Sequence, residues 1–267
     1  MQATDLDLLI DAAREAGRIA TAFTGQTAQR WEKPDGAGPV TEADLAVNSM
    51  LEDVLPAARP DYGWLSEETE DNHARLERSR VFIIDPIDGT RSFADGSRTW
   101  AHSLAIAEDG RVTAAVIYLP QRDLLYSAAA GAGAFLNGKR IAVTGQATLS
   151  DADILAARPN LEPHHWKNGT APGFHRSYRP SLAYRLATVA QGRFDGMITL
   201  RPSWEWDIAA GDLILREAGG VCTDRQGMPL RFNSRGAKLD GVIATNKPLH
   251  EQFVDALEPT GPGIVPR

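Results

Sequence analysis

Two aspartates stand three residues apart in the hexapeptide Asp85-Pro-Ile-Asp-Gly-Thr90, directly after the apolar run Val81-Phe-Ile-Ile84. The run predicts a buried strand, and Pro86, which has no N–H and a fixed φ, should end it. Both carboxylates then lie at a strand end, where they can converge on a cation. Gly89 lets a ligand approach the main chain, and a helix beginning at Thr90 would leave its amide free for an anion. The hexapeptide therefore predicts a metal site beside an anion site, with a simple polar turn as the alternative.

Two further acidic segments are candidates for the same site. Ser66-Glu-Glu68 opens an acidic run that ends at Asp71, which alone is typical of a solvated surface, although adjacent carboxylates become tolerable beside cations. Asp207 precedes an apolar-periodic helix predicted over 207–218, so helix capping is the alternative to metal binding. Oxygen ligands without a matching cysteine or histidine cluster select hard cations, chiefly Mg²⁺, with Mn²⁺ as the alternative. The histidines show no repeated zinc-like spacing, and we interpret four as surface or structural residues: His102, His164, His165 and His175.

Composition limits the classes of protein to which the chain can belong. Its 267 residues, 43% hydrophobic and 24% charged, are typical of a soluble enzyme. A net charge of −7 disfavours a nucleic acid polymer, since phosphate-backbone binding needs a basic surface. The single cysteine, Cys222, cannot form an internal disulfide, and we expect a buried thiol. Without a signal peptide or an apolar stretch of roughly 20 residues, we expect a cytoplasmic protein that has no membrane contact.

Periodicity and turn residues predict a layered α/β arrangement in two halves. We predict an N-terminal α+β half over 1–148, a C-terminal α/β half over 149–258 and a disordered tail over 259–267. A loop covers 32–39. Helices are predicted over 5–23, from Thr41 to Pro56, and over 181–191, 207–218 and 249–257. Strands are predicted over 81–84, 101–107, 112–119, 124–128, 154–157, 195–200, 220–223 and 242–245, with turns at Asp109-Gly110 and Asn137-Gly138.

Taken together and in this order, the motifs resemble the inositol monophosphatase family of metal-dependent, lithium-sensitive phosphatases. That superfamily also contains the 3′(2′),5′-bisphosphate nucleotidases and the fructose-1,6-bisphosphatases. The resemblance covers residues 5–256 and implies a layered αβαβα sandwich that hydrolyses the phosphate monoester of a small metabolite between its two halves. The matching segments are Pro39-Val-Thr-Glu-Ala-Asp44, Ser66-Glu-Glu68, Asp85-Pro-Ile-Asp-Gly-Thr90, Gly133-Ala-Phe-Leu-Asn-Gly138, Trp206-Asp-Ile-Ala-Ala-Gly211 and Glu217-Ala-Gly-Gly220.

The resemblance also implies metal ligands. Glu67, Asp85 and the carbonyl of Ile87 would hold a first Mg²⁺. Asp85, Asp88 and Asp207 would hold a second. Glu67 would also orient waters around a weaker third ion, so two or three ions are expected.

The same resemblance implies how water and substrate are held. Asp44 and Thr90 would position the attacking water, and the amides of Gly89 and Thr90 would cradle the phosphate. Glu68 would support the ligands without touching the ions. The residues expected to contact the substrate are Ile87, Asp88, Gly89, Thr90, Arg185 and Asp207.

The identity of the phosphate ester depends on a few further positions. Inositol phosphatases usually carry an acid seven residues before the last metal aspartate, where this chain has Leu200. Arg185 stands where bisphosphate nucleotidases have a basic residue, and Arg179 and Arg201 are further candidates. These residues slightly favour a 3′(2′),5′-bisphosphate nucleotidase over an inositol-1-monophosphatase, unless Arg185 is an exposed helix residue. A catalytically silent phosphometabolite-binding protein is the alternative from another class, and the resemblance leaves a homodimer open.

Overall fold

The computed structural model describes residues 3–23, 27–33 and 38–259. The predicted tail beyond Pro259 and the middle of the predicted loop over 32–39 lie outside these ranges. The helices described are α1 (Asp5–Ala22), α2 (Glu42–Ala58), α3 (Thr90–Ala94), α4 (Leu182–Ala190), α5 (Glu205–Glu217) and α6 (Lys247–Ala256). The strands described are β1 (Arg30–Glu32), β2 (Pro39–Thr41), β3 (Gly63–Ser66), β4 (Arg80–Asp88), β5 (Ala101–Glu108), β6 (Arg111–Leu119), β7 (Leu124–Ala129), β8 (Gly133–Leu136), β9 (Lys139–Arg140), β10 (Asp153–Ala156), β11 (His175–Ser177), β12 (Gly196–Thr199), β13 (Ser203–Trp204), β14 (Val221–Thr223), β15 (Lys238–Leu239) and β16 (Val242–Thr245).

The first half of the chain builds a seven-stranded sheet in the order β3-β4-β5-β6-β7-β8-β9. Only β3 and β4 run parallel, and the other neighbours are antiparallel. The predicted turn at Asp109-Gly110 joins β5 to β6, with positive φ at both residues, as a two-residue hairpin requires. Buried side chains cover both faces of β4, which explains its continuous apolar sequence.

Helices α1 and α2 cover one face of this sheet. Thr4 and Asp7 close a capping box at the start of α1, and the apolar stripe of α1 meets α2 and the sheet in one core. Phe82 and Ile84 of β4 point into that core. Val81 and Ile83 point to the opposite face, because successive side chains alternate along a strand.

Helices α4 and α5 lie between the seven-stranded sheet and a second, five-stranded sheet in the order β11-β10-β12-β16-β14. The two helices approach closely at Gly211, where an added Cβ would lie 2.5 Å from Leu186 Cβ. Leu249 and Phe253 of α6 pack on the outer face of the second sheet. The layers therefore follow the order α, β, α, β, α, which confirms the predicted fold.

Two proline-based boundaries are wrong. Helix α2 continues two residues beyond Pro56, because the proline falls in the last turn and Arg59 N still closes on Leu55 O at 3.0 Å. Strand β4 continues through Pro86 to Asp88. Pro86 has no N–H to donate, but the register shifts between Asp85 and Asp88, so no ladder hydrogen bond is required from it.

None of the described helices has the length and apolar composition that a membrane span requires. The division at residue 148 stays a prediction.

Candidate active site and metal centre

A β-bulge brings Asp85 and Asp88 to the same side of β4. In a regular strand, residues three apart point to opposite faces. Here Asp85 pairs with Ser103 and Asp88 pairs with Ala101, so two residues of β4 stand opposite the single residue His102 of β5. One inserted residue reverses the alternation beyond it. The bulge therefore makes the two carboxylates converge.

Asp207 reaches the same point from α5. Oxygen atoms of Asp85, Asp88 and Asp207 all lie within 4.8 Å of one another. The expectation that Asp207 precedes its helix is wrong: α5 begins two residues earlier, and the helix cap is Trp204. Asp207 is thus the third residue of α5, near the positive end of the helix dipole.

The three aspartates are electrostatically unstable as a set of bare anions. Burial raises the pKa of Asp85 well above its usual range, and the charges of Glu67, Asp88 and Asp207 raise it further. Burial also raises the pKa of Asp207, with Asp88 and Glu67 adding to the effect. Asp85 Oδ1 is buried and has no hydrogen-bond partner within the described residues. An oxygen donor set of this kind fits a hard divalent cation, which would offset the repulsion and occupy the free oxygen.

Asp88 is also held by the start of α4. Its Oδ2 accepts hydrogen bonds of 2.6 Å from the Ser181 hydroxyl and from Ala183 N. Burial raises the pKa of Asp88 to about 6, whereas these bonds and the charge of Arg185 lower it. Ser181 accepts from Tyr184 N as the helix cap. Sequence reasoning missed this role, although a serine before an apolar-periodic run is a signal for such a cap.

Asp44 and Thr90 meet beside the aspartate cluster. The Thr90 hydroxyl lies 3.0 Å from Asp44 Oδ1 and 3.1 Å from the Ile87 carbonyl, and can donate to either. Asp44 Oδ2 accepts from the amide and the hydroxyl of Thr41. Burial raises the pKa of Asp44 to about 6, against the lowering effect of these hydrogen bonds. Gly89 precedes Thr90 with φ +99° and caps α3, so the predicted helix start is confirmed.

Glu67 and Glu68 share one lysine. Lys33 Nζ lies 2.7 Å from an Oε1 atom of each carboxylate. Burial raises the pKa of Glu68 to about 7, and the charge of Glu67 adds to this rise. Glu67 lines the same cleft as the aspartates but is not part of the three-carboxylate cluster. Sequence reasoning missed Lys33, whose place in a predicted loop carried no signal.

Arginine and aromatic side chains also line this cleft, whose volume is about 410 Å³. Arg185 is not an exposed helix residue: it is 5% exposed, its Nε donates to Arg179 O, and its guanidinium carbon lies 4.4 Å from the centre of the Tyr178 ring. Leu200 is buried in the outer core. The residues lining the cleft are Gly38, Pro39, Glu67, Asp85, Ile87, Asp88, Gly89, Thr90, Arg91, Ser92, Tyr178, Pro180, Leu182, Arg185, Arg201, Trp204 and Asp207.

The interpretation of Cys222 is confirmed, and three of the histidines fit the interpretation as surface or structural residues. Cys222 is buried, as expected. His164 and His175 are exposed side chains. His102 is fully buried, so a surface role is excluded for it.

Comparisons with known proteins agree with this fold and site. The model of the inositol monophosphatase family matches residues 1–260. An inositol-1-monophosphatase of Rhizobium meliloti is 36% identical over 237 residues, which cover 83% of this chain and 86% of that protein. A protein named Nus factor SuhB from Salmonella typhimurium is 33% identical over 242 residues, which cover 83% of this chain and 85% of that protein. The solved structure of an IMPase from Thermotoga maritima has a TM-score of 0.81 and 30% identity, covering 94% of this chain and 95% of that one. The chain therefore belongs to the inositol monophosphatase family and is a metal-dependent phosphomonoester hydrolase.

Proposed function

We propose that this protein hydrolyses inositol 1-phosphate with Mg²⁺ as its metal. The cluster of Asp85, Asp88 and Asp207, with its unpartnered oxygen, is the observation that supports metal-dependent hydrolysis. The name of the Rhizobium meliloti relative supports inositol 1-phosphate over the nucleotide that Arg185 favoured in the sequence.

Two or three Mg²⁺ ions are proposed, with Mn²⁺ able to replace them, since the ligands are oxygens. Glu67, Asp85 and the Ile87 carbonyl form one proposed ligand set. Asp85, Asp88 and Asp207 form the other. When bound, these ions supply Lewis-acid chemistry that polarises the phosphate and activates water.

The protein's own groups position the reactants. A Thr90 hydroxyl that donates to Asp44 keeps its lone pairs free, so it can accept a hydrogen bond from the attacking water and orient that water. The amides of Gly89 and Thr90 at the start of α3 would donate to the phosphate oxygens. Phosphoryl transfer needs chiefly such positioning and charge stabilisation, so no covalent nucleophile is required.

A bisphosphate nucleotide is the second candidate substrate, favoured by two arginines that line the cleft. Arg185 and Arg201 both line the cleft, and a guanidinium can bind a second phosphate in a bidentate manner. Leu200 is buried, and its side chain has no oxygen that could bind the hydroxyl groups of an inositol. These two observations are independent of the metal cluster.

Phosphate release under Mg²⁺ would test the proposal and separate the substrates. We would compare kcat/KM for inositol 1-phosphate, adenosine 3′,5′-bisphosphate and fructose 1,6-bisphosphate, with and without EDTA. The highest kcat/KM for inositol 1-phosphate, abolished by EDTA, is the expected result. If the nucleotide is the better substrate and Arg185→Ala weakens it selectively, the second candidate replaces the first. If the protein binds these compounds but hydrolyses none of them, a silent binding protein is the correct interpretation.

Three other expectations stay predictions. They are a cytoplasmic location, sensitivity to lithium and a homodimer. Activity in the presence of lithium and the mass in solution would test the last two.

A further inference from the structure

The bulge in β4 leaves the buried carbonyl of Pro86 without a backbone partner in the ladder. Pro86 lies in the bulge, where the regular pairing with β5 is interrupted. A buried carbonyl without a partner costs free energy, so such groups are almost always paired. Here the partner of Pro86 O is a side chain: His102 Nδ1 lies 2.5 Å from it. Because a carbonyl can only accept, Nδ1 carries the proton and donates.

The His102 ring is held in one orientation. Its side chain is fully buried and packs edge-on against Trp100, with ring centres 5.5 Å apart and an interplanar angle of 77°. Tyr118 lies at 6.4 Å. Burial lowers the pKa of His102 to about 4, so the ring is neutral near pH 7. Its Nε2 has no partner among the described residues, which leaves the bond to Pro86 as the one polar contact seen for this ring.

We propose that His102 is a positioning residue that holds the bulge at Pro86 and thereby sets the distance between the carboxylates of Asp85 and Asp88. This inference rests on the proposed metal site. His102 touches neither carboxylate in the contacts described. It acts through the backbone between them, from the residue of β5 that faces the bulge. Loss of its donor would leave Pro86 O unpaired and let this segment relax toward regular pairing, which separates the two aspartates.

Metal binding by the full-length, metal-free protein tests this role, with Mn²⁺ titrated in a calorimeter. His102→Leu removes the donor, and residues that hold metal ligands in place typically change metal affinity by roughly tenfold or more. We therefore expect His102→Leu to bind Mn²⁺ about tenfold more weakly. His102→Asn places an amide N–H near the position of Nδ1 and should restore wild-type affinity.

Leu104→Ala is the matched control. Leu104 lies two residues further along β5, packs in the same core as Trp100 and pairs with Ile84 in the regular part of the ladder. We expect a lower melting temperature with unchanged Mn²⁺ affinity, which separates general destabilisation from loss of positioning. If His102→Leu does not fold, His102→Gln replaces it, because its longer side chain moves the amide donor away from Pro86 O.

Asp88→Asn distinguishes failure of this inference from failure of the proposed site. If Asp88→Asn weakens Mn²⁺ binding while the variant without the His102 donor binds as wild type, His102 has no positioning role. Equal loss of affinity in Leu104→Ala and His102→Leu would also overturn the inference. If Asp88→Asn itself binds Mn²⁺ as wild type does, the proposed metal site is wrong.

Discussion

The hydroxyl of Thr90 lies 3.0 Å from Asp44 Oδ1, which joins the first turn of α2 to the first turn of α3. The two residues are 46 positions apart in the chain. Asp44 is fixed in turn by two donors of Thr41, the residue that caps α2. A hydroxyl held by a buried carboxylate is suited to orient water beside the metal cluster.

Replacement of Thr90 by valine should lower kcat while the fold is retained. Valine has nearly the same shape but cannot accept a hydrogen bond from water, and positioned groups of this kind typically contribute about 10²-fold or more. Thr90→Ser keeps the hydroxyl and should retain most of the activity. Steady-state kinetics with Mg²⁺ would measure both, with circular dichroism as the check on folding. A wild-type kcat in Thr90→Val would show that the Thr90 hydroxyl has no role in catalysis.

The contribution of Asp88 to the stability of the metal-free protein should fall as the pH rises. Asp88 has a folded-state pKa of about 6, above its usual value of 3.8, and the pKa values of Asp85 and Asp207 are also raised. The folded protein thus holds the Asp88 proton more tightly than the unfolded chain does, and the contribution of this carboxyl to the free energy of unfolding decreases between about pH 4 and pH 6. Buried His102, whose pKa is lowered to about 4, acts in the opposite direction over the same range, so the effect is expected in the difference between wild type and an Asp88 variant. For Asp88 alone this loss is on the order of 3 kcal/mol.

Thermal unfolding in EDTA across this pH range would test the expected decrease. The stability of Asp88→Asn relative to that of the wild type should rise across this range, because the variant lacks the titrating carboxyl. Added Mg²⁺ should raise the melting temperature of the wild type more at pH 7 than at pH 5, since ionised carboxylates bind the cation. A wild-type pH dependence that persists in Asp88→Asn would contradict this explanation.

Gly211→Ala should destabilise the protein and weaken the metal site together. An added Cβ would lie 2.5 Å from Leu186 Cβ, so α5 would be displaced from α4, and these helices position Asp207 and the donors to Asp88. Overpacking of this kind costs about 1–3 kcal/mol. Gly236→Ala is the control, since a Cβ there meets nothing within 4 Å. Denaturant unfolding and Mn²⁺ titration would measure the two effects, and equal behaviour of both variants would refute the role of this close approach.

Local sequence signals predicted a layered α/β arrangement and the acidic segments, and the family resemblance implied the order of the layers. Neither predicted the contacts that orient the acidic side chains. The apolar runs and turn residues identified β4, β5 and α5, since such patterns follow from burial. The bulge was missed because it depends on the pairing of Pro86 with His102 across two strands, which no local period records. The proline alone suggested a strand end, where the structure has a kink in a continuing strand.

The start of α5 and the burial of Arg185 also could not be predicted from local sequence patterns. Trp204 is not a residue type that favours helix caps, and its position follows from the pairing of β13 with β15. Arg185 is buried by the Tyr178 ring and the Arg179 carbonyl from a neighbouring loop. Both features depend on contacts between neighbouring segments that hydrophobic periodicity does not record.

Phosphate release from inositol 1-phosphate by wild type and Asp88→Asn, both with Mg²⁺, tests the central claim most directly. Asp195→Asn is the matched control, because its carboxylate is hydrogen-bonded to Thr144 and to Asp153 N and does not line the cleft. We expect Asp88→Asn to lose at least about 10²-fold in kcat/KM, since it replaces a charged oxygen of the proposed metal site with a neutral amide. Asp195→Asn should behave as wild type. Robust and equal hydrolysis by wild type and Asp88→Asn would contradict the assignment of the metal centre.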